Sequence, residues 1–214
     1  MFKGKLTTRR GTYEVDIIDD GEYTFTFNGV VLTTDFLELL TIESPHKYTA
    51  EQLAVFDYVE SEHRLEESGA NNLLLQQYAL TIDVPVSVLD KQTAERRQQN
   101  LQITISHDQQ GLNHRYALLS VHAERDISEI DLALEEMWVK LEERYEVCLC
   151  AFCQNMCWNP YGGMPLMNQL CFKASQEAFG AVKQKDKASI SRLVQEENPQ
   201  AVYLIDSCED FIAR

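Results

Sequence analysis

No stretch of the chain approaches the roughly 20 apolar residues that a membrane-spanning helix needs, so no membrane association is expected. The basic N-terminal residues Lys3, Lys5, Arg9 and Arg10 are not followed by an apolar run, which argues against a secretory signal and for a cytoplasmic protein. Basic residues are scarce: 19 Lys and Arg stand against 34 Asp and Glu, a net charge of -15. A field of that sign repels phosphate backbones, so nucleic acid is not an expected partner. It would speed the encounter with a basic protein, although an acidic surface also serves solubility alone.

The signatures of common chemistries are missing too. There is no Gly-x-Ser-x-Gly elbow, no Gly-x-Gly-x-x-Gly, no phosphate loop and no His-Glu-x-x-His. The histidines His46, His63, His107, His114 and His122 are scattered, and only His107 and His114 flank one turn. Paired carboxylates such as Asp19-Asp20, Glu66-Glu67, Glu135-Glu136 and Glu142-Glu143 fall where turns or solvated helix faces are expected. Internal repeats, low-complexity tracts and flexible linkers are absent. With 44% apolar and 25% charged residues over 214 positions, the chain reads as one α+β domain. Residues 1–146 form its strand-rich part with two helices, and residues 147–214 a cysteine-bearing subregion.

Alternation of apolar and polar residues predicts strands over 12–18 and 22–32, joined by a hairpin at Asp19-Asp20-Gly21, with a further turn at Asn28-Gly29. Thr49 and Gln52 have the spacing of a capping box. A helix is expected from there to Glu67, with Leu53, Phe56 and Val59 on one stripe and an acidic outer face. Leu80, Ile82, Val84, Val86 and Val88 define the clearest strand, which Pro85 assigns to an edge or a bulge. Residues 91–99 read as a polar connection, 101–105 as a strand, and 116–121 as its returning partner. Ser128 opens an amphipathic helix carrying Ile130, Leu134, Met137, Trp138, Leu141 and Tyr145, a core-packing helix rather than a partner-binding one. A strand over 147–152, a helix over 186–195 and a last strand over 201–205 complete the pattern.

The cysteines are the most unusual feature. Cys148, Cys150, Cys153, Cys157 and Cys171 fall within 24 positions, and Cys208 lies near the end. Zinc takes four soft ligands in a tetrahedron, and a Cys-x-x-Cys pair supplies two from one tight turn. Cys150 and Cys153 have that spacing, and Cys171 and Cys208 would each have to fill a corner alone. One structural zinc ion is therefore one expectation. Buried thiols acting as small hydrophobes are the other, with redox use of the Cys150/Cys153 pair as a third. Phe152, Trp158, Tyr161 and Phe172 would roof a metal, form a small core or anchor a partner.

The segments Cys150-x-x-Cys153, Asn159-Pro-Tyr-Gly162, Leu170-Cys171-Phe172 and Cys208-Glu-Asp-Phe211 resemble a pattern in bacterial families of uncharacterised proteins similar to polymorphic-toxin immunity proteins. The resemblance covers the C-terminal third. Where those families show a Ser-Asp pair after the second cysteine, this chain has Met156-Cys157. The resemblance implies Cys150, Cys153, Cys171 and Cys208 as the ligand quartet, with Cys148 and Cys157 as bystanders, and carries no enzymatic activity. Together with the charge it gives the expected function: a non-enzymatic cytoplasmic binding protein that blocks a basic toxin domain by steric and electrostatic occlusion. Glu60, Glu62, Glu66 and Glu67 on the first helix are the candidate contact set. A thiol-redox or other small enzyme built on Cys150 and Cys153 is one alternative. A structural or regulatory module without a toxin partner is another.

Overall fold

The computed structural model describes residues 2–19, 23–34, 39–64, 71–158, 160, 169–182 and 186–202. The class is α+β, with antiparallel strands dominant. The chain divides into two compact units. The first holds the residues up to Val84 together with Leu101–Ile127, and the second holds Pro85–Asn100 and the residues from Ser128 onward.

The first unit begins with β1 (Phe2–Thr8), β2 (Gly11–Asp19), β3 (Tyr23–Phe27) and β4 (Val30–Thr34). Their alternation buries Leu6, Val15, Ile17, Tyr23, Phe25 and Leu32 on one side. Asn28 and Gly29 join β3 to β4 with φ of 53° and 74°, the pair of positive values a type I′ turn requires. Gly4 is needed where β1 lies between its neighbours, because a Cβ there would stand 2.7 Å from the Thr81 carbonyl oxygen. Then follow β5 (Thr41–Ile42), α1 (Ala50–Leu53), β6 (Asp57–Arg64), β7 (Asn71–Gln76), β8 (Tyr78–Asp90), β9 (Glu95–Asp108), β10 (Gly111–Leu118) and β11 (Val121–Glu124). The strand order is β11-β10-β9-β8-β1-β2-β3-β4-β5-β7-β6.

Several sequence expectations need correction. The capping box forms, with Thr49 Oγ1 accepting from the Gln52 amide at 3.2 Å and Gln52 Oε1 from the Thr49 amide at 2.9 Å. The helix it starts ends at Leu53, however, and does not run to Glu67. Residues from Asp57 are strand β6, paired with β7 from Asp57↔Gln76 onward. Phe56, Tyr58 and Val59 suit a strand as well as a helical stripe, and pairing with β7 decides between the two. The supposed acidic helix face is therefore not one. Glu60 is exposed on β6, Glu62 and His63 lie in the same strand, and Glu66 and Glu67 fall outside the described residues.

Strand β8 is not an edge, since it has β1 on one side and β9 on the other. Pro85 is accommodated differently. Pairing with β1 stops at Asp83, and pairing with β12 (Tyr145–Cys148) starts at Ser87. The proline, which has no N–H to donate, occupies the gap between those two partners. Residues 91–99 are not a loop throughout: the turn is Lys91–Ala94, and β9 begins at Glu95. The return segment 116–121 is broken at Leu119, whose φ of 56° turns β10 into β11.

The second unit adds α2 (Ile130–Leu141), β13 (Met156–Trp158), β14 (Gln169–Cys171), α3 (Gln176–Ala181), α4 (Lys187–Glu197) and β15 (Gln200–Val202). Helix α2 buries Ile130, Ala133, Leu134, Met137 and Leu141, so its inner face packs as the 3.6-residue spacing predicts. The expected strand 147–152 stops at Cys148 and gives way to a 3-10 turn over Cys150–Phe152. Strands β13, β14 and β15 form a small antiparallel sheet. Beside it Leu170, Phe172, Phe179, Ile190 and Leu193 make a separate core, with Cys157 packed against it. Helix α4 is capped by Asp186, whose carboxylate accepts from the Ser189 amide at 2.8 Å. The expected last strand is seen as β15, and residues 203–205 lie outside the described residues.

One polar knot ties the β8–β9 turn to the end of α2. Asp90 is 4% exposed and accepts from the Gln92 amide at 2.9 Å and from Arg144 Nε and Nη2 at 3.2 and 3.1 Å. The Lys91 amide donates to the Arg144 carbonyl at 2.8 Å. Burial alone would raise the Asp90 carboxyl. The Gln92 amide, Arg144 and the Thr93 amide outweigh it and hold the group below the usual carboxylate range. A depressed folded-state value stabilises the fold above the ordinary carboxylate pKa of about 4, and that contribution is lost as pH falls through the depressed value. Asp90→Asn is therefore expected to lower the melting temperature at pH 7 and to flatten its decline below pH 4, measurable by thermal scans across pH.

Candidate functional site

The cysteine segment is built on the second unit's own turns. Cys150 and Cys153 are closed by a hydrogen bond from the Cys153 amide to the Cys150 carbonyl at 3.1 Å, the tight turn their spacing predicts. Both are buried, at 6% and 4% exposure. Cys148 is buried on β12 opposite Ser87. Cys171 lies on β14 opposite Met156, and Cys157 opposite Leu170. Cys157 therefore shares the Leu170 face that meets the Phe172 core, while Cys171 points to the other face. The five are thiols. Cys208 lies outside the described residues. Among the described residues no three or more His, Cys, Asp or Glu side chains gather as a metal ion would require.

The aromatic side chains near the cysteines that can be described serve packing. Phe152 stacks on Trp138 with ring centroids 5.6 Å apart, and Phe172 stacks on Phe179 at 4.6 Å and 4°. Tyr161 falls outside the described residues, and of Trp158 only the backbone is described. Two buried amides sit close by in the sequence. Gln169 is fully buried, and Asn155 donates nothing from Nδ2 among the described residues, although its carbonyl accepts from the Phe172 amide at 2.8 Å.

The histidine pair does not face across its hairpin. His107 lies opposite Leu112 and His114 opposite Ile105, so the two are diagonal neighbours on the core side. Tyr78 stacks on His107 at 6.3 Å, and burial pushes its phenol up to about 12, opposed by the hydrogen bond from the Leu40 amide. A shallow polar depression of about 630 Å³ also lies at these strands, with Thr104, Ser106, Asp108, His114, Arg115 and Asp126 among its lining. Its charges are mixed in sign, with Asp108, Glu124 and Asp126 against Arg115 and Arg125.

The surface with the clearest chemical character is the outer face of α2. Leu132 and Val139 are 45% and 55% exposed there, seven residues apart and thus nearly in line. Glu135 on the helix and Glu143 in the turn after it are exposed as well. Glu136 also flanks the row, held by Lys140 at 2.7 Å. The sequence pattern gave a signal for this face: two large aliphatic residues out of phase with the buried stripe, set among carboxylates.

Compared with protein families, curated proteins and solved structures, the chain matches none. Among the described residues no helix is long and apolar enough to cross a membrane.

Proposed function

We propose that the chain is a non-enzymatic, cytoplasmic binding protein that occludes a basic protein domain, in the manner of an immunity protein blocking a toxin. The observation that supports this reading best is the α2 face, where Leu132 and Val139 are flanked by Glu135, Glu136 and Glu143. Exposed aliphatic anchors beside a net acidic rim, Glu135, Glu136 and Glu143 against Lys140, suit a partner of the opposite sign. Apolar contact gives affinity, and the acidic rim gives steering and selection. The contact set thus moves from the β6 glutamates to α2. Affinity capture with the product of the adjacent gene tests the proposal. A basic domain should be retained and its activity inhibited at one-to-one stoichiometry, and a neighbour that neither binds nor is inhibited sets the proposal aside.

The cysteine quartet Cys150, Cys153, Cys171 and Cys208 belongs to the same proposal as a structural zinc site tying the C-terminus back to the 3-10 turn. Metal analysis of the purified protein should then find about one zinc per chain, lost with unfolding of the second unit on chelation, because a structural site is part of the fold. Protein that is metal-free and stably folded would show the alternative, buried thiols.

A further inference from the structure

The pairing of β9 with β10 covers Gln102–Ala117 to Asp108–Gly111, and residues Glu95–Asn100 extend beyond it. On their inner side lies β8. Thr81 and Thr104 share a hydroxyl hydrogen bond of 3.0 Å, and Gln102 Nε2 donates to Asp83 at 3.0 Å, which sets the two strands in one register leading to the Lys91–Ala94 turn. Among the described residues no strand pairs with the outer side of Glu95–Asn100. Every second residue of an antiparallel strand turns its N–H and C=O to a given side, so about three residues present unused backbone groups there. Glu95, Arg96, Arg97, Gln98 and Asn100 are exposed and Gln99 is partly so, leaving both faces of the edge open.

The side chains decide what fits. Arg96 and Arg97 have no carboxylate partner among the described residues, in a chain whose acids outnumber its bases 34 to 19. Being consecutive in a strand, they project from opposite faces of the sheet. A second copy pairing symmetrically at this edge would gather four guanidinium groups around the two-fold axis, which like-charge repulsion opposes. An added strand with acidic side chains meets the reverse situation, since guanidinium groups accept carboxylates in a forked geometry.

We propose that the outer edge of β9 over Glu95–Asn100 binds an extended acidic peptide by strand addition, with carboxylates on two successive peptide residues meeting Arg96 on one face and Arg97 on the other. The test is fluorescence anisotropy of the full chain with a labelled peptide Thr-Val-Glu-Asp-Val-Thr, its Lys-Lys counterpart, and a copy N-methylated on alternate residues. The acidic peptide should bind with Kd below about 1 mM, and Arg96→Glu/Arg97→Glu should weaken it about tenfold or more. The Lys-Lys and N-methylated peptides should not bind, and amides of Glu95–Asn100 should gain hydrogen-exchange protection only with the acidic peptide. Absence of binding, indifference to the arginine reversals, or equal binding of the N-methylated peptide would overturn the proposal. So would a stable dimer dispersed by the arginine reversals, or protection of these amides in the peptide-free monomer, which would assign the edge to a second copy or to the chain itself.

Discussion

Phe172→Ala is expected to lower the stability of the second unit by about 3–5 kcal/mol, the range for deleting a large buried aromatic side chain. Phe172 has no exposed surface and stacks flat on Phe179 at 4.6 Å. Leu170, Ile190 and Leu193 complete the cluster, so the cavity would open where β14, α3 and α4 meet. Its backbone amide donates to the Asn155 carbonyl at 2.8 Å, which anchors the turn after the Cys150/Cys153 segment to the same cluster. Both tryptophans, Trp138 and Trp158, lie in the second unit, so tryptophan fluorescence reports its unfolding. A urea titration should show the fluorescence midpoint falling sharply in Phe172→Ala and only slightly in Phe172→Leu. Equal midpoints for wild type and the alanine variant would mean that this cluster does not hold the unit together.

Glu135→Lys/Glu143→Lys is expected to slow association with the proposed basic partner by about 10- to 100-fold at low salt while leaving the fold intact. Both side chains are exposed, Glu135 on α2 away from its buried stripe of Ile130, Leu134, Met137 and Leu141, and Glu143 in the turn that follows it. Surface changes of this kind alter stability by less than about 0.5 kcal/mol. The two substitutions reverse the rim around Leu132 and Val139 and leave Glu136 with Lys140. Steering acts over a Debye length of about 10 Å at 0.1 M salt, so the difference between variant and wild type should shrink as salt rises. Stopped-flow association rates at two ionic strengths check this. A rate unaffected by the substitutions would place the contact elsewhere on the acidic surface.

Much of the strand pattern was legible because a period of two is hard to produce by other means. The β2–β3 pairing, the β3–β4 hairpin with its Asn28-Gly29 turn and the buried residues of β8 follow directly from alternation and turn chemistry, while Asp20 and Gly21 of the other expected turn lie outside the described residues. Helix α2 was legible for the same reason at its own period. The segment after Thr49 was not, because Leu53, Phe56 and Val59 satisfy a helical stripe while the deciding contact, β7, lies beyond residue 70. A cap signal says where a helix starts and little about how far it goes. Pro85 misled in a related way: it marks a missing hydrogen bond, which an edge supplies along a whole strand but which β8 supplies only over residues 84–86, where neither the pairing with β1 that stops at Asp83 nor the pairing with β12 that starts at Ser87 extends. In the site, the Cys150/Cys153 turn could be read from spacing. The opposite facing of Cys157 and Cys171 could not, since it depends on the register of β13 with β14. The α2 face was missed because a helix with a good buried stripe draws attention inward.

Titration calorimetry of the purified chain with the product of the adjacent gene, at low and high salt, tests the proposed binding role most directly. The expected result is one-to-one binding that weakens as salt rises and falls further with Glu135→Lys/Glu143→Lys. Absence of heat, or binding indifferent to both salt and the α2 substitutions, would contradict it.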